Sequence, residues 1–397
     1  MRQRISQAVN ERFPRLSWDI WSARRDIAQF SPDEIPSALR NQWGRRTASS
    51  GATAHREHAE PRLLLVVPMA DHVEIPWEPA VGNYSYELFQ TARACMGENA
   101  VDTLRIDPAE STGEFHDRII ARLHDGGFTH VITRIDIESN GGEDWSWDLF
   151  TRKLRRSWPG VFLPLTYDSA YPYISMHLDR ITRLHHLAVP IVLDRPITGV
   201  IRPRRPAAGP LFLPLSDEST AKIDRELAGV GPEYDLTFIG NVAGYPYRAD
   251  LLDALQAEGL DVTVNPQGRS ATDMPGFLSY ARALRQSRVT LNFTRCNGVP
   301  VTQLKTRMLE GSLFGSIVAA DSPLYARDYF EEGQDFLSYS SPRDLKTQLQ
   351  ALLPDENRLT TMRERARARA DVLRVRNFWE ATDRALRSRG LPPLLVE

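Results

Sequence analysis

Cysteine is scarce in this sequence of 397 residues. Cys95 and Cys296 are the only two, and their separation excludes a disulfide framework or a zinc-type ligand spacing. No apolar run approaches the length needed to cross a bilayer. Arg2, Arg4, Glu11 and Arg12 interrupt the start of the chain where a secretion signal needs an apolar core, so the expected location is the cytoplasm. An excess of one charge is missing too. The formal net charge is −2, too small for a global field that would favour nucleic acid or a membrane. Histidine is absent from the second half, all nine lying at or before His186. No G-x-G-x-x-G follows the first apolar strand, which argues against a dinucleotide site there. No Asp-x-Asp pair follows a strand, so no obligatory metal is expected. No short-period internal repeat is visible.

What is present is a typical globular composition, 42% hydrophobic and 25% charged, in a chain long enough for two domains. Residues 1–60 read as an appendage: Ile5 to Phe13 is a candidate helix, Trp18 and Trp21 are its candidate docking residues, and Arg45 to Glu60 is a small-polar linker. From Arg62, strands and helices alternate. Leu63 to Val67, Ala100 to Ile106, Phe128 to Ile135, Gly160 to Leu165 and Val189 to Leu193 are the predicted strands. Helices are predicted over Asn83–Met96, Ser111–His124 with a capping box at Ser111 and Glu114, Trp145–Trp158 and Tyr173–His186. Pro203 to Pro210, rich in proline and small residues, is the hinge candidate. A second alternating series follows: strand Asp235–Ile239, helix Tyr247–Glu258, strand Asp261–Val264, helix Met274–Gln286. Strands alternating with helices imply an α/β fold of two Rossmann-like, doubly wound domains.

The centre of the second series runs from Ser287 to Tyr329. Val289, Leu291 and Phe293 alternate with polar residues, as in a strand. A turn-rich loop with Asn297, Gly298 and Pro300 follows. Thr302 is placed to cap a helix in which Leu304, Met308, Leu309 and Leu313 recur at helical spacing, and Gly315 stands just past its end. Ser316 to Ala320 is the next strand. A helix N-terminus at the carboxyl edge of a parallel sheet attracts phosphate through its free N–H groups and dipole. Lys305 and Arg307 in the first turns add cationic donors, and Glu310 offers a carboxylate suited to two vicinal hydroxyls. The same pattern also describes a plain amphipathic helix with a solvated Lys–Arg–Glu face.

The pattern K-x-R-x-x-E-x-x-x-x-G, followed by a strand and Y-x-x-x-Y-F, resembles the donor-binding half of GT-B glycosyltransferases, specifically the "glycosyl transferases group 1" kind that includes CgeB-like proteins. The resemblance spans roughly Asp235 to Leu386. It implies two domains facing a cleft, 61–208 for an acceptor and 209–375 for a nucleotide-sugar, with 376–397 as a last helix crossing back through Phe378 and Trp379. It assigns Glu310 to the nucleotide ribose. Many retaining members carry a second Glu eight residues earlier; Thr302 stands there, which leaves the stereochemistry open. The nucleotide-sugar is then a substrate, with no cofactor. Gly240 and Asn241 end a strand ahead of Arg248 at a helix start, where the family has a glycine loop and a basic residue for phosphate; an ordinary turn is the plainer reading. Asn292, Thr294 and Asn297 are further candidate donor contacts. Tyr325 and Tyr329 are read as core.

In a GT-B fold the general base, when used, comes from the first domain. Asp168 and His72 follow predicted strands there and rank ahead of Asp136, although caps or turns explain such residues equally. The acceptor is a glycan, a protein or a small molecule, and no nucleic acid is expected. The arginines between Arg358 and Arg389 fit a solvated helical face or, alternatively, peripheral contact with an anionic membrane. Two other functions fit: a sugar-nucleotide epimerase of the same architecture, and a non-catalytic nucleotide-sugar-binding or scaffold protein.

Overall fold

The computed structural model describes residues 60–67, 84–105, 107, 110–135, 146–167, 172–193, 208–242, 245–266, 276–295 and 302–395. The helical appendage expected over residues 1–60, the catalytic candidates His72, Asp136 and Asp168, and Asn297 lie outside them, except for Glu60. The first series is β1 (Leu63–Val67), α1 (Ser85–Met96), β2 (Val101–Arg105), α2 (Thr112–Asp125), β3 (His130–Arg134), α3 (Trp147–Ser157), β4 (Val161–Thr166), α4 (Pro172–Leu184) and β5 (Ile191–Val192). The second is α5 (Asp217–Glu226), β6 (Tyr234–Phe238), α6 (Pro246–Ala257), β7 (Thr263–Val264), α7 (Phe277–Arg285), β8 (Ser287–Asn292), α8 (Arg307–Phe314), β9 (Ile317–Ala320) and β10 (Phe336–Ser338). Three helices close the chain: α9 (Pro342–Leu352), α10 (Glu356–Leu373) and α11 (Arg376–Arg387).

Both sheets are parallel and five-stranded, in the orders β2-β1-β3-β4-β5 and β10-β9-β8-β6-β7. Counted from its own first strand, each sheet reads 2-1-3-4-5. The winding reverses between β1 and β3 and again between β6 and β8. In such sheets ligands bind in the crevice outside the carboxyl ends at that reversal.

Burial on both faces explains the apolar strands. Leu63, Leu65 and Val67 of β1 enter one core cluster, and Leu64 and Val66 enter another on the opposite face. In the second sheet α8 lies close over β8 and β9. A Cβ on Gly311 would come within 2.7 Å of Val318 Cγ2, so only glycine permits this approach. Gly315 ends α8 in the left-handed region, at φ 98°, as its sequence position suggests. The helix itself starts later than predicted. Thr302 does not cap it: that residue pairs with Arg295 in an antiparallel bridge, and Gln303 N–H bonds to Thr294 O at 2.7 Å. Lys305 therefore precedes the helix and does not sit in its first turn.

The polypeptide returns to the first domain at α11. Phe378, Trp379 and Leu386 are buried in the cluster that contains Leu63 and Val67, and Trp379 Nε1–H donates to Thr91 Oγ1 of α1 at 3.0 Å. On α10, Arg365, Arg367 and Arg369 meet acids outside the helix. Arg365 and Arg369 both reach the buried Asp335, at 3.3 and 3.0 Å, and Arg365 also pairs with Glu331. Arg367 pairs with Asp224, and Arg374 with Asp217 and Asp371. Among the described residues no helix is long and apolar enough to cross a membrane.

Candidate functional site

The carboxyl end of β6 supplies the floor of the site. Phe238 is fully buried and stacks on Phe293 with centroids 4.6 Å apart. Two guanidiniums flank the Phe238 ring: Arg307 at 5.5 Å and Arg248 at 5.9 Å from its centroid. Arg248 also lies 3.9 Å over Tyr245, and its Nη1 donates to the Asn241 carbonyl at 2.6 Å. Asn241 therefore contributes its main chain here. Gly240 leaves room for Arg307, since a Cβ there would lie 3.0 Å from Arg307 Nη2. Asn265, at the end of β7, holds the turn. Its Oδ1 accepts from Gly240 N–H at 2.8 Å, and its Nδ2 donates to Gly240 O at 3.0 Å.

Two helices begin at the winding reversal, α6 and α8. No side chain caps α6, which starts with Pro246, or α8. Ser216, Ser341 and Asp355 cap α5, α9 and α10, while α1, α3, α7 and α11 also start without a side-chain cap. The N–H groups of Arg248, Met308 and Leu309 already donate to main-chain carbonyls in these first turns, so what the helix starts offer an anion is chiefly their dipole.

One turn into α8, Glu310 is 2% exposed. Its Oε1 accepts from the Tyr84 hydroxyl and its Oε2 from the Tyr280 hydroxyl, both at 2.8 Å. Burial pushes the Glu310 carboxyl above the usual range, against the lowering effect of the two hydroxyls and Arg307. Burial, with the Glu310 charge behind it, raises Tyr84 and Tyr280 as well, which keeps both phenols protonated and donating. The nearby Arg307 charge works against that rise at Tyr280, and the buried Arg307 Nε has no partner among the described residues.

On the other flank of the 302–307 segment a small cavity is lined by Asn292, Thr294, Lys305 and Tyr325, among others. Asn292 is fully buried, and both its Oδ1 and its Nδ2 lack partners among the described residues. An unpaired buried amide costs about 1–3 kcal/mol, so the end of β8 holds a donor and an acceptor ready for a ligand or a water.

The structure thus gathers Gly240, Asn241, Arg248, Arg307 and Glu310 along one edge, with Asn292 and Lys305 beside them. Sequence reasoning missed Phe238, Asn265, Tyr280 and Tyr84. Asn265-Pro266 was a readable turn signal; Tyr84 gave none, because its partner is 226 residues away. Tyr329 is core, packing on Phe212 with centroids 4.9 Å apart. Among the described residues no group of three His, Cys, Asp or Glu is placed to hold a metal.

Residues 225–379 match the "Glycosyl transferase-like" family model. A sequence search of curated proteins returned no significant match. Among solved structures, HepE of Anabaena in complex with UDP-glucose aligns at TM-score 0.52 and 11% identity, over 83% of this chain and 99% of that one. HepE in complex with UDP and glucose aligns at 0.50 and 12% identity, over 83% and 99%. Sucrose-phosphate synthase of Thermosynechococcus elongatus gives 0.47 and 13%, over 82% and 97%. The two sheets, their shared winding and the returning α11 give this chain the GT-B fold that HepE has, and residues 225–379, most of the second domain, match the glycosyl transferase-like family.

Proposed function

We propose that the protein moves a sugar from a nucleoside diphosphate sugar to an acceptor hydroxyl, with the donor held on the second domain. The observation that carries this reading is the pair of guanidiniums over Phe238, beside the starts of two helices at the reversal between β6 and β8. Arg248 and Arg307 fork onto the diphosphate and offset its growing charge as the bond to the sugar breaks. This charge compensation supports catalysis without an obligatory metal. Glu310 takes the ribose hydroxyls, and Lys305 and Asn292 serve the sugar-phosphate side. The base that removes the acceptor proton comes from the first domain, with Asp168 and His72 as candidates.

HepE, of like fold, is described in complex with UDP-glucose, which makes UDP-sugars the first donors to try. A thermal-shift panel of UDP-, GDP-, ADP- and dTDP-sugars tests the reading. One base class should raise Tm by several degrees through mass action. No shift at millimolar concentration with any of them would sink the proposal. Product analysis with donor alone separates transfer from epimerisation, since only an epimerase converts the sugar without an acceptor.

A further inference from the structure

Three neighbouring residues at the start of α1 reach out of the first domain. Tyr84 O–H donates to Glu310 Oε1 at 2.8 Å. Tyr86 O–H donates to Glu218 Oε2 at 2.7 Å. Glu87, buried, accepts from Ser216 N–H at 2.6 Å and from the Ser219 hydroxyl, so it adds a carboxylate to the N-terminus of α5. Glu87 and Tyr86 meet the base of the second domain, near its entry from the first. Tyr84 meets the middle of α8, beside the arginine pair.

Chemically, Tyr84 presents to Glu310 what a ribose presents: one hydroxyl proton on a neutral, oxygen-bearing ring. The other oxygen of Glu310 is held by Tyr280, from within the same domain. With both oxygens engaged and the carboxyl 2% exposed, no surface remains for a sugar edge. The Tyr84 ring is itself backed by Tyr167, edge to face at 6.1 Å, with Arg134 lying 3.9 Å over the far ring. The contact is thus braced from the first domain.

We infer that Tyr84 is a donor gate, a stand-in for the ribose hydroxyl that must leave Glu310 before a nucleotide is bound. This rests on the reading of Glu310 as the ribose ligand. The gate couples donor entry to a shift of the α1 turn, and its closed form lowers the apparent affinity by the fraction of molecules in which Glu310 is covered.

Titration of the full-length parent, Tyr84→Phe, Tyr280→Phe and Glu310→Gln with UDP and GDP tests it. Phe keeps the ring and its packing and removes only the donated proton. Tyr84→Phe should bind the preferred nucleotide about three- to ten-fold tighter than the parent. Tyr280→Phe should bind no tighter, because its hydroxyl orients Glu310 from within the donor domain. Unchanged or weaker binding by Tyr84→Phe overturns the gate, as does equal tightening in both tyrosine variants. Glu310→Gln reports on the underlying reading separately. If it binds like the parent, or if no variant binds either nucleotide, the ribose assignment fails and the gate falls with it. If Glu310→Gln is weakened while Tyr84→Phe is not tightened, only the gate fails.

Discussion

The two sheets share one winding yet end in different chemistry. At the reversal in the first sheet, the described ends of β1 and β3 are Val66, Val67, Thr133 and Arg134, and β1 is buried on both faces. At the reversal in the second, Phe238, Gly240, Arg248, Arg307 and Glu310 gather at the starts of two helices. Topology makes a crevice in both places; only the second is lined by paired arginines. The flanks differ too. The first domain takes α11 and the C-terminal tail into its core, while the second presents helix starts toward the cleft.

Perturbing the first domain should therefore change stability, and perturbing the second should change ligand binding. The largest effect is expected at the joint between them. Trp379→Ala removes a fully buried ring and its bond to Thr91 and should cost about 3–5 kcal/mol in urea unfolding. A loss under 1 kcal/mol would mean that α11 is not part of the first core.

Next comes acid sensitivity, seated in the first domain. His130 is buried at the start of β3. Its Nε2–H donates to Pro392 O at 3.1 Å, and its Nδ1 accepts from the Thr129 hydroxyl at 2.8 Å, so the ring is held neutral. Burial lowers it to about 4, below the unfolded value near 6.5. The unfolded chain binds the proton first, so this contribution is whole above about pH 6.5 and is lost as pH falls toward 4. The loss is about 3 kcal/mol if the fold persists. Unfolding curves at pH 7, 5.5 and 4.5 should show it, and His130→Gln should flatten that part of the profile; an unchanged slope would remove His130 as its source.

Arg307→Ala probes the second edge. It should weaken nucleoside diphosphate binding about 30-fold or more, near 2 kcal/mol, with a much smaller change in Tm. Calorimetry settles it: equal losses in binding and stability would make Arg307 a structural residue and erase the contrast between the edges. The smallest effect should come from Gly311→Ala. The added methyl presses on Val318, and the fold should lose about 1–2 kcal/mol. An unchanged Tm would show that α8 sits further from β9 than the structure has it.

Much of the fold was legible because its signals are local. The five apolar residues of β1, the Ser111–Glu114 capping box and Gly315 at the end of α8 appear as the sequence suggests. Local pattern also misled. Leu304 and Met308 at helical spacing behind Thr302 imitate a helix start, but the backbone of Thr302 is claimed by Arg295 across a bridge, and the helix waits until Arg307. Helix α5 escaped notice because only Ile223 and Leu227 mark its buried side. In the site, the chain neighbours Arg307 and Glu310 could be read together. Their hydroxyl partners Tyr84 and Tyr280 could not, since nothing in a single sequence relates residues that only the tertiary fold brings together.

Tyr84, Tyr86 and Glu87 make the seam between the lobes depend on one turn of one helix. Any hybrid enzyme assembled from halves of related proteins must carry that turn together with its receptors, Ser216, Ser219, Glu218 and Glu310. A graft that respects only the sheet boundaries would leave the buried Glu87 carboxylate without its donors and would weaken the junction.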